Sequence, residues 1–482
     1  MASTLDIGIV FLYFGILLAI GVYLSRKQEN IDDYLVAGRD VGLWRYISSN
    51  IEAFVGAGST IAIATLGYKY GISGAWYLLA AATGVIVFAV LMAPKVKILG
   101  DDLKQYSYPQ LLGNRYDWKI RMVSSANTLV SFTAFASAQM VGVGTILSAL
   151  FKWDITTAIV AAGIVVIAYT MLGGLMAVFW TDFAQFIIHV VGILAVIAYG
   201  LHMAGGWEVL KETLPANSFN FFNSELSSSG FTGISAIIFF IVAIGLSVPV
   251  SMDYYQRTYA IKDVKLARKG LFVTAVGMIF LGIIAAVTGM IAKVLYSGID
   301  PKMAAATLIS NMPVGLLGLG AIALLAALMS CGDSCLVLGS ATFLVDILKP
   351  LKKLLKPEEK EKEKQDLLVS KLMVPVLGII ALIIGLKFQS ILGMLLYAFS
   401  IQVGGLLVPT IAMFWWKKAT PNAAAIATIV GSIICILWWP LGFPFGWDGC
   451  YPGIILSAIA LIGFSYVTKP TSKEKIEKFF RK

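Results

Sequence analysis

The sequence predicts an all-α integral membrane protein with about thirteen transmembrane helices, and three observations carry that reading. Hydrophobic residues make up 59% of the 482 and charged residues only 13%, where soluble domains hold roughly 25% charged residues. The apolar residues come in runs near the ~20 that a bilayer core requires. Those runs are continuous rather than alternating, which excludes a β-barrel.

The windows fall at about 5–24, 45–67, 74–94, 122–150, 155–176, 180–203, 232–256, 271–293, 314–347, 370–387, 390–416, 420–441 and 451–468. In the first, Ile7–Leu24 has span length and lacks a small-residue cleavage site, so it reads as a span and not a signal peptide. The second, Ile47–Tyr68, places Ser48, Ser49, Asn50 and Glu52 at membrane depth ahead of Gly56 and Gly58. The sixth opens at Asp182, and the ninth carries Asp333 inside the run Gly318–Val345. An ionised acid near the bilayer centre costs ~3 kcal/mol or more unless a cation, a proton or water accompanies it. Two of them point to a cation pathway. The seventh window, Phe239–Arg257, has Gly245, Ser247 and Pro249 in mid-run. Proline removes a donor and disfavours helix at the preceding Val248.

Broken helices free carbonyls for cations and N–H groups for anions, and they recur at matching positions of inverted repeats. The two interrupted windows are five apart, so spans 2–6 and 7–11 fit two halves of opposite orientation, against the plainer alternative of tolerated kinks. The organisation expected is a first helix and loop (1–44), a first half (45–203), an outer loop (204–231), a second half (232–416), then two further helices and a tail (417–482).

The net charge of +10 is distributed as a membrane protein distributes it, which argues against nucleic acid as a partner. If Arg26 and Lys27 follow the first span inward, the N-terminus is outside and the C-terminus inside. Of 37 Lys and Arg, only Lys69, Lys152, Lys211, Lys293, Lys302 and Lys387 then face outward, and the inward set includes Arg257 to Lys269. The stretch Lys352–Asp366 reads as a solvated cytoplasmic linker. The tail Thr471–Lys482 reads as an amphipathic helix at the inner surface. Cys331, Cys335, Cys435 and Cys450 form no CxxC pair and read, with His189 and His202, as packing residues. No HExxH or GxSxG set lies at membrane depth, so an enzyme is not expected. A channel or sensor is disfavoured too, for want of pore-lining repeats or a signalling domain.

Four phrases in order, DDYLVAGRDVG (Asp32–Gly42), YTMLGGLMAVFWTDFAQ (Tyr169–Gln185), YYQRTYAIKD (Tyr254–Asp263) and AALMSCGDSCLVLGSATFLVDI (Ala326–Ile347), resemble the sodium/solute symporter family. Its members include sodium–glucose, sodium–proline, sialic acid and choline transporters. The resemblance implies a leucine-transporter-type 5+5 inverted repeat and sodium-coupled symport of a small organic solute in the plasma (cell inner) membrane. Na⁺ is then the coupling ion and there is no cofactor; oligomeric state stays open. Proton-coupled or uncoupled transport of the same class of solute is the alternative.

Carried onto this chain, the family's common sodium site uses Ser48 and Ile51 of span 2 with Ala327, Ser330 and Cys331 of span 9. The last three share a helix face. Cys331 stands where relatives have Ser or Thr, and a neutral thiol is a poor ligand for a hard cation. A second cation or proton site falls on Asp182, Asp333 and Ser334; two acids that close cannot both ionise cheaply without a cation. Two other roles stay open, Asp182 as a helix cap and Asp333 as a water-facing residue. For the solute the fold points to Asn50, Glu52, Gln139, Ser247, Asp253, Tyr397 and Gln402. Glu52 is suited to attract an amine, or else to pair with a base or face a water-filled vestibule. Val55, Ile244 and Val248 do not match the sugar-site residues of relatives, which disfavours a sugar.

Overall fold

Helices occupy every one of these windows in the computed structural model, which describes residues 3–25, 31–171, 175–355 and 363–480. In chain order they are α1 (Thr4–Ser25), α2 (Leu43–Phe54), α3 (Ile63–Tyr70), α4 (Trp76–Val87), α5 (Ala93–Asp102), α6 (Tyr108–Arg115), α7 (Trp118–Phe151) and α8 (Ile155–Thr170). Then follow α9 (Leu175–Met203), α10 (Ile234–Ala243), α11 (Met252–Ala260), α12 (Val264–Leu295), α13 (Leu316–Thr342), α14 (Glu363–Lys387), α15 (Ile391–Trp415), α16 (Pro421–Trp438), α17 (Cys450–Val467) and α18 (Lys473–Phe480).

Among the described residues, ten helical stretches are long and apolar enough to cross a membrane, and up to eleven if the bent pair around α10 and α11 is one span. Part of the difference from thirteen lies in α8, which is only 16 residues long. Another part lies in the helical run Gly58–Asp102. At Gly71 the backbone takes φ +74°, and Gly74 packs so tightly on Gly67 that a Cβ there would sit 2.8 Å from the Gly67 nitrogen. The chain therefore turns between α3 and α4 without leaving helical geometry for long, and hydropathy runs across the turn.

Burial sorts the helices by role. The stretch built on α13 has 94% of its apolar window buried, against 28% for α1, α9 and α14. An apolar helix that is buried all round is a core helix, and one exposing most of its apolar surface faces lipid. So α13 is the axis against which α1, α2, α7 and α9 pack. The loop 204–231 and the residue after it hold a short helix, Trp207–Thr213, and a two-residue antiparallel hairpin, Ser227–Ser228 with Phe231–Thr232.

Two expectations are corrected here. Helix α9 begins at Leu175, so Asp182 lies two turns inside it and caps nothing. The linker is only partly solvated: Asp366 is buried and forms ion pairs with Lys349 at 3.2 Å and Lys352 at 3.7 Å, while 356–362 lie outside the described residues. The tail forms the expected helix, α18, with Phe479 buried, Lys475 Nζ donating to the Tyr116 carbonyl at 2.7 Å and Phe480 lying against Arg115 and Lys417. Arg26 and Lys27 also lie outside the described residues.

Candidate functional site

Two helix interruptions face the core. The first lies between α2 and α3, where Val55 leaves helical geometry (φ −82°, ψ 81°) and a π-type turn, Gly58–Ala62, restarts the helix. Gly56 is there because nothing larger fits. A Cβ would meet Gln139 Oε1 at 2.3 Å and Cys331 Cβ at 2.8 Å. Gln139, from α7, accepts the Ala57 N–H at 2.7 Å and so satisfies a donor that the break leaves over. The second interruption is the 3₁₀ segment Gly245–Val250, around Pro249; the stretch Ile234–Val250 then bends by 41° against α11. A parallel bridge between Val41 and Ile261, with Val41 N–H donating to the Ala260 carbonyl at 3.0 Å, ties the start of one broken span to the end of the other.

Between these breaks lies a charged network in which Asp182 and Ser334, grouped from the sequence, meet a base that the sequence did not announce. Arg257 on α11 is fully buried. Its Nε donates to Ser49 Oγ at 2.8 Å, and its Nη2 donates to Ser334 Oγ at 2.9 Å while standing 3.5 Å from Asp182 Oδ2. Ser49 in turn donates to Asp182 Oδ2 at 2.5 Å. One guanidinium thus joins α2, α9, α11 and α13. Arg257, expected among the cytoplasmic charges, belongs to the core. Asp333 lies within electrostatic reach of Asp182 and beside the Tyr169 hydroxyl. Its Oδ1 has no partner among the described residues.

One turn away, Glu52 is also fully buried. Its Oε1 lies 3.0 Å from His189 Nδ1 of α9. Its Oε2 and its main-chain carbonyl lie 3.2 Å and 3.1 Å from Ser330 Oγ, which also approaches the Ala327 carbonyl at 3.1 Å. His189 is therefore a partner of Glu52 and not a packing residue. Nothing near it in sequence signals this, since the acid stands 137 positions away. His189 also lines a cavity of about 10 Å³, near the size of one water, with Val55, Ser59 and Thr60.

The other candidates divide. Ser48 Oγ donates to the Arg45 carbonyl at 3.1 Å, and the Ile51 carbonyl accepts the Val55 N–H at 2.8 Å. Cys331 is buried against Gly56, so its thiol side of α13 faces the first break. Asn50 Nδ2 donates to the Tyr46 carbonyl at 2.7 Å. Ser247 Oγ donates to the Ile244 carbonyl at 2.7 Å within the second break. Gln402 reaches Ser251 Oγ at 3.5 Å, and Asp253, two residues on, is buried. Asp253 Oδ1, Gln402 Oε1 and Asn50 Oδ1 lack partners among the described residues. Tyr397 is not brought together with these groups: its hydroxyl donates to the Ile436 carbonyl of α16 at 2.9 Å and its ring packs on Trp439.

Comparison with known proteins identifies the family and the fold. A sequence model of the sodium:solute symporter family matches residues 34–431. The chain is 26% identical to the high-affinity proline transporter PutP of Bacillus subtilis (strain 168), over 96% of this chain and 98% of that protein. It is also 26% identical to the sodium/myo-inositol cotransporter 2 of Homo sapiens, over 98% of this chain and 78% of that protein. Its fold is similar to that of a Na⁺-coupled sialic acid symporter solved in a substrate-bound outward-open state, with TM-score 0.83 at 22% identity over 98% of this chain and 99% of the other. It is similar also to the nucleobase-cation-symport-1 family transporter MHP1, with TM-score 0.61 at 14% identity over 92% and 97%.

Proposed function

We propose, because the chain belongs to the sodium:solute symporter family, that it is a plasma (cell inner) membrane transporter that moves a small organic solute with Na⁺ by alternating access. It is a transporter and not an enzyme. The halves 45–203 and 232–416 rock about the two breaks, with the N-terminus outside and the C-terminus inside. The observation that carries the cation assignment is Ser330 Oγ at the end of the broken helix α2, 3.1 Å from the Glu52 carbonyl and 3.1 Å from that of Ala327. Ser330 and Ala327, with carbonyls of the Ser48–Ile51 turn, form the common sodium site. Asp182, Asp333 and Ser334 form a second charged site in which Arg257 already supplies one cation.

The solute binds between the breaks. Gln139 and Glu52 already have partners there. Asp253 Oδ1 and Gln402 Oε1 remain as buried acceptors beside Ser251. That supports a solute rich in N–H or O–H donors, a class that includes the proline, myo-inositol and sialic acid named for the similar proteins. One observation favours proton coupling as a second reading. The Glu52–His189 pair sits at the cation site, and it brings together two side chains that can each carry a proton.

Proteoliposomes test both. An inward Na⁺ gradient should drive uptake of at least one of proline, myo-inositol and sialic acid, and a pH gradient alone should not. Uptake driven by the pH gradient and indifferent to Na⁺ would replace the first reading with the second.

A further inference from the structure

The oxygens around Ser330 outnumber the protons available to them. Ser330 Oγ lies 3.1 Å from the Ala327 carbonyl, 3.1 Å from the Glu52 carbonyl and 3.2 Å from Glu52 Oε2. A hydroxyl carries a single proton and so donates to one of the three. The remaining contacts bring unshared pairs together in a buried site, an arrangement that a positive charge among them relieves. Arg257 does not supply it here, because its guanidinium is directed at Ser49, Ser334 and Asp182.

The neighbouring position sharpens the point. Cys331 offers a soft, neutral sulfur to a hard cation that prefers oxygen. Glu52 offers an oxygen at the same site, its Oε2 3.2 Å from Ser330 Oγ, with no exposure to water. We propose that the Glu52 carboxylate is itself a ligand of the coupling cation, its Oε2 supplying the hard oxygen that Cys331 does not. His189 holds the other oxygen, Oε1, at 3.0 Å. An ionised carboxylate accepts only, so the imidazole donates, and it fixes the carboxylate as outer partners fix ligating groups. The site then carries a formal negative charge that a set of carbonyls and hydroxyls lacks. That favours a small hard cation and makes Glu52 a cation ligand instead of an amine anchor for the solute.

This rests on the sodium-coupled reading, and equilibrium binding of radiolabelled Na⁺ to the purified full-length protein separates the two. Glu52→Gln should raise the half-saturating Na⁺ concentration at least tenfold. Adding Cys331→Ser in that background should bring it back to within threefold of the unaltered protein, because a hydroxyl restores the missing oxygen. Glu52→Asp keeps the charge while shortening the reach, so if Glu52→Gln does not fold, a rise of at least threefold is read from the shorter acid. Unaltered affinity in Glu52→Gln or, failing that variant, in Glu52→Asp, or no recovery on adding Cys331→Ser, overturns the assignment while leaving the sodium reading intact. No Na⁺ binding by the unaltered protein overturns both.

Discussion

The Arg257 guanidinium and the Asp182 carboxylate stand 3.5 Å apart with neither side chain exposed, and the Ser49 hydroxyl is bonded to both. The sequence showed two acids at membrane depth and asked what cation accompanies them. For Asp182 part of the answer is covalent: the chain brings its own cation on the helix that follows the second break. A buried charge left alone is far more costly than a buried pair replaced whole.

Arg257→Gln should therefore destabilise the protein by roughly 3–5 kcal/mol. Asp182→Asn added to it should restore a large part of that loss, since two neutral amides replace a pair. Thermal unfolding of the two single variants and the double variant in detergent measures the coupling. Additive losses would mean that the two groups do not act on one another.

Gly56→Ala should disrupt the first break. The added carbon would sit 2.8 Å from Cys331 Cβ and 2.3 Å from Gln139 Oε1, the atom that holds the Ala57 N–H. The expected cost is about 1–3 kcal/mol, as for overpacking elsewhere, with transport lost before folding is. A variant that transports at the normal rate would show that this close approach does not shape the site.

Asp448, in the loop before α17, accepts from Ser400 Oγ at 2.5 Å and from the Cys450 N–H at 2.9 Å, and burial pushes its carboxyl above the usual carboxylate range. A folded-state pKa raised above the unfolded one means that the charge opposes folding. That cost is absent below the unfolded pKa of ~3.9 and grows as pH rises through the folded one. Asp448→Asn keeps an oxygen for both donors and removes the charge. It should raise the melting temperature at pH 8 and leave it unchanged near pH 4. The opposite ordering would mean that the charged form is the favoured one.

How much of this was legible in advance follows from the range over which each signal acts. The helices and both interruptions are local properties, so Gly56, Pro249 and the apolar runs located them directly. The turn at Gly71 was legible as a boundary, yet α8 is shorter than its apolar run implied because its C-terminal end stops at Thr170. Partners were not legible. Arg257 follows an apolar run as a cytoplasmic anchor would, and hydropathy does not distinguish an arginine that snorkels from one that turns inward. His189 gives no sign of Glu52 because their pairing depends on how α9 crosses α2. Tyr397 shares a helix with Gln402, yet the helix turns it toward α16.

Orientation is tested by cysteine labelling, made simple because all four native cysteines are buried. Ser224→Cys, on an exposed part of the outer loop, should react with an impermeant reagent added to intact cells. Lys353→Cys, exposed on the helix Lys349–Leu355, should react only after the membrane is opened. The reverse pattern would invert the topology.

The proposed sodium site lies where Ser330 meets the end of the broken helix α2. The most direct test is the melting temperature of the purified protein across a Na⁺ series, with K⁺ making up constant ionic strength. A ligand that binds only the folded state stabilises it by an amount that rises with its occupancy. The unaltered protein should gain stability as Na⁺ replaces K⁺, and Ser330→Ala should gain little or none while melting normally in K⁺. Equal melting curves in Na⁺ and K⁺ for the unaltered protein, or an undiminished Na⁺ response in Ser330→Ala, would contradict the account.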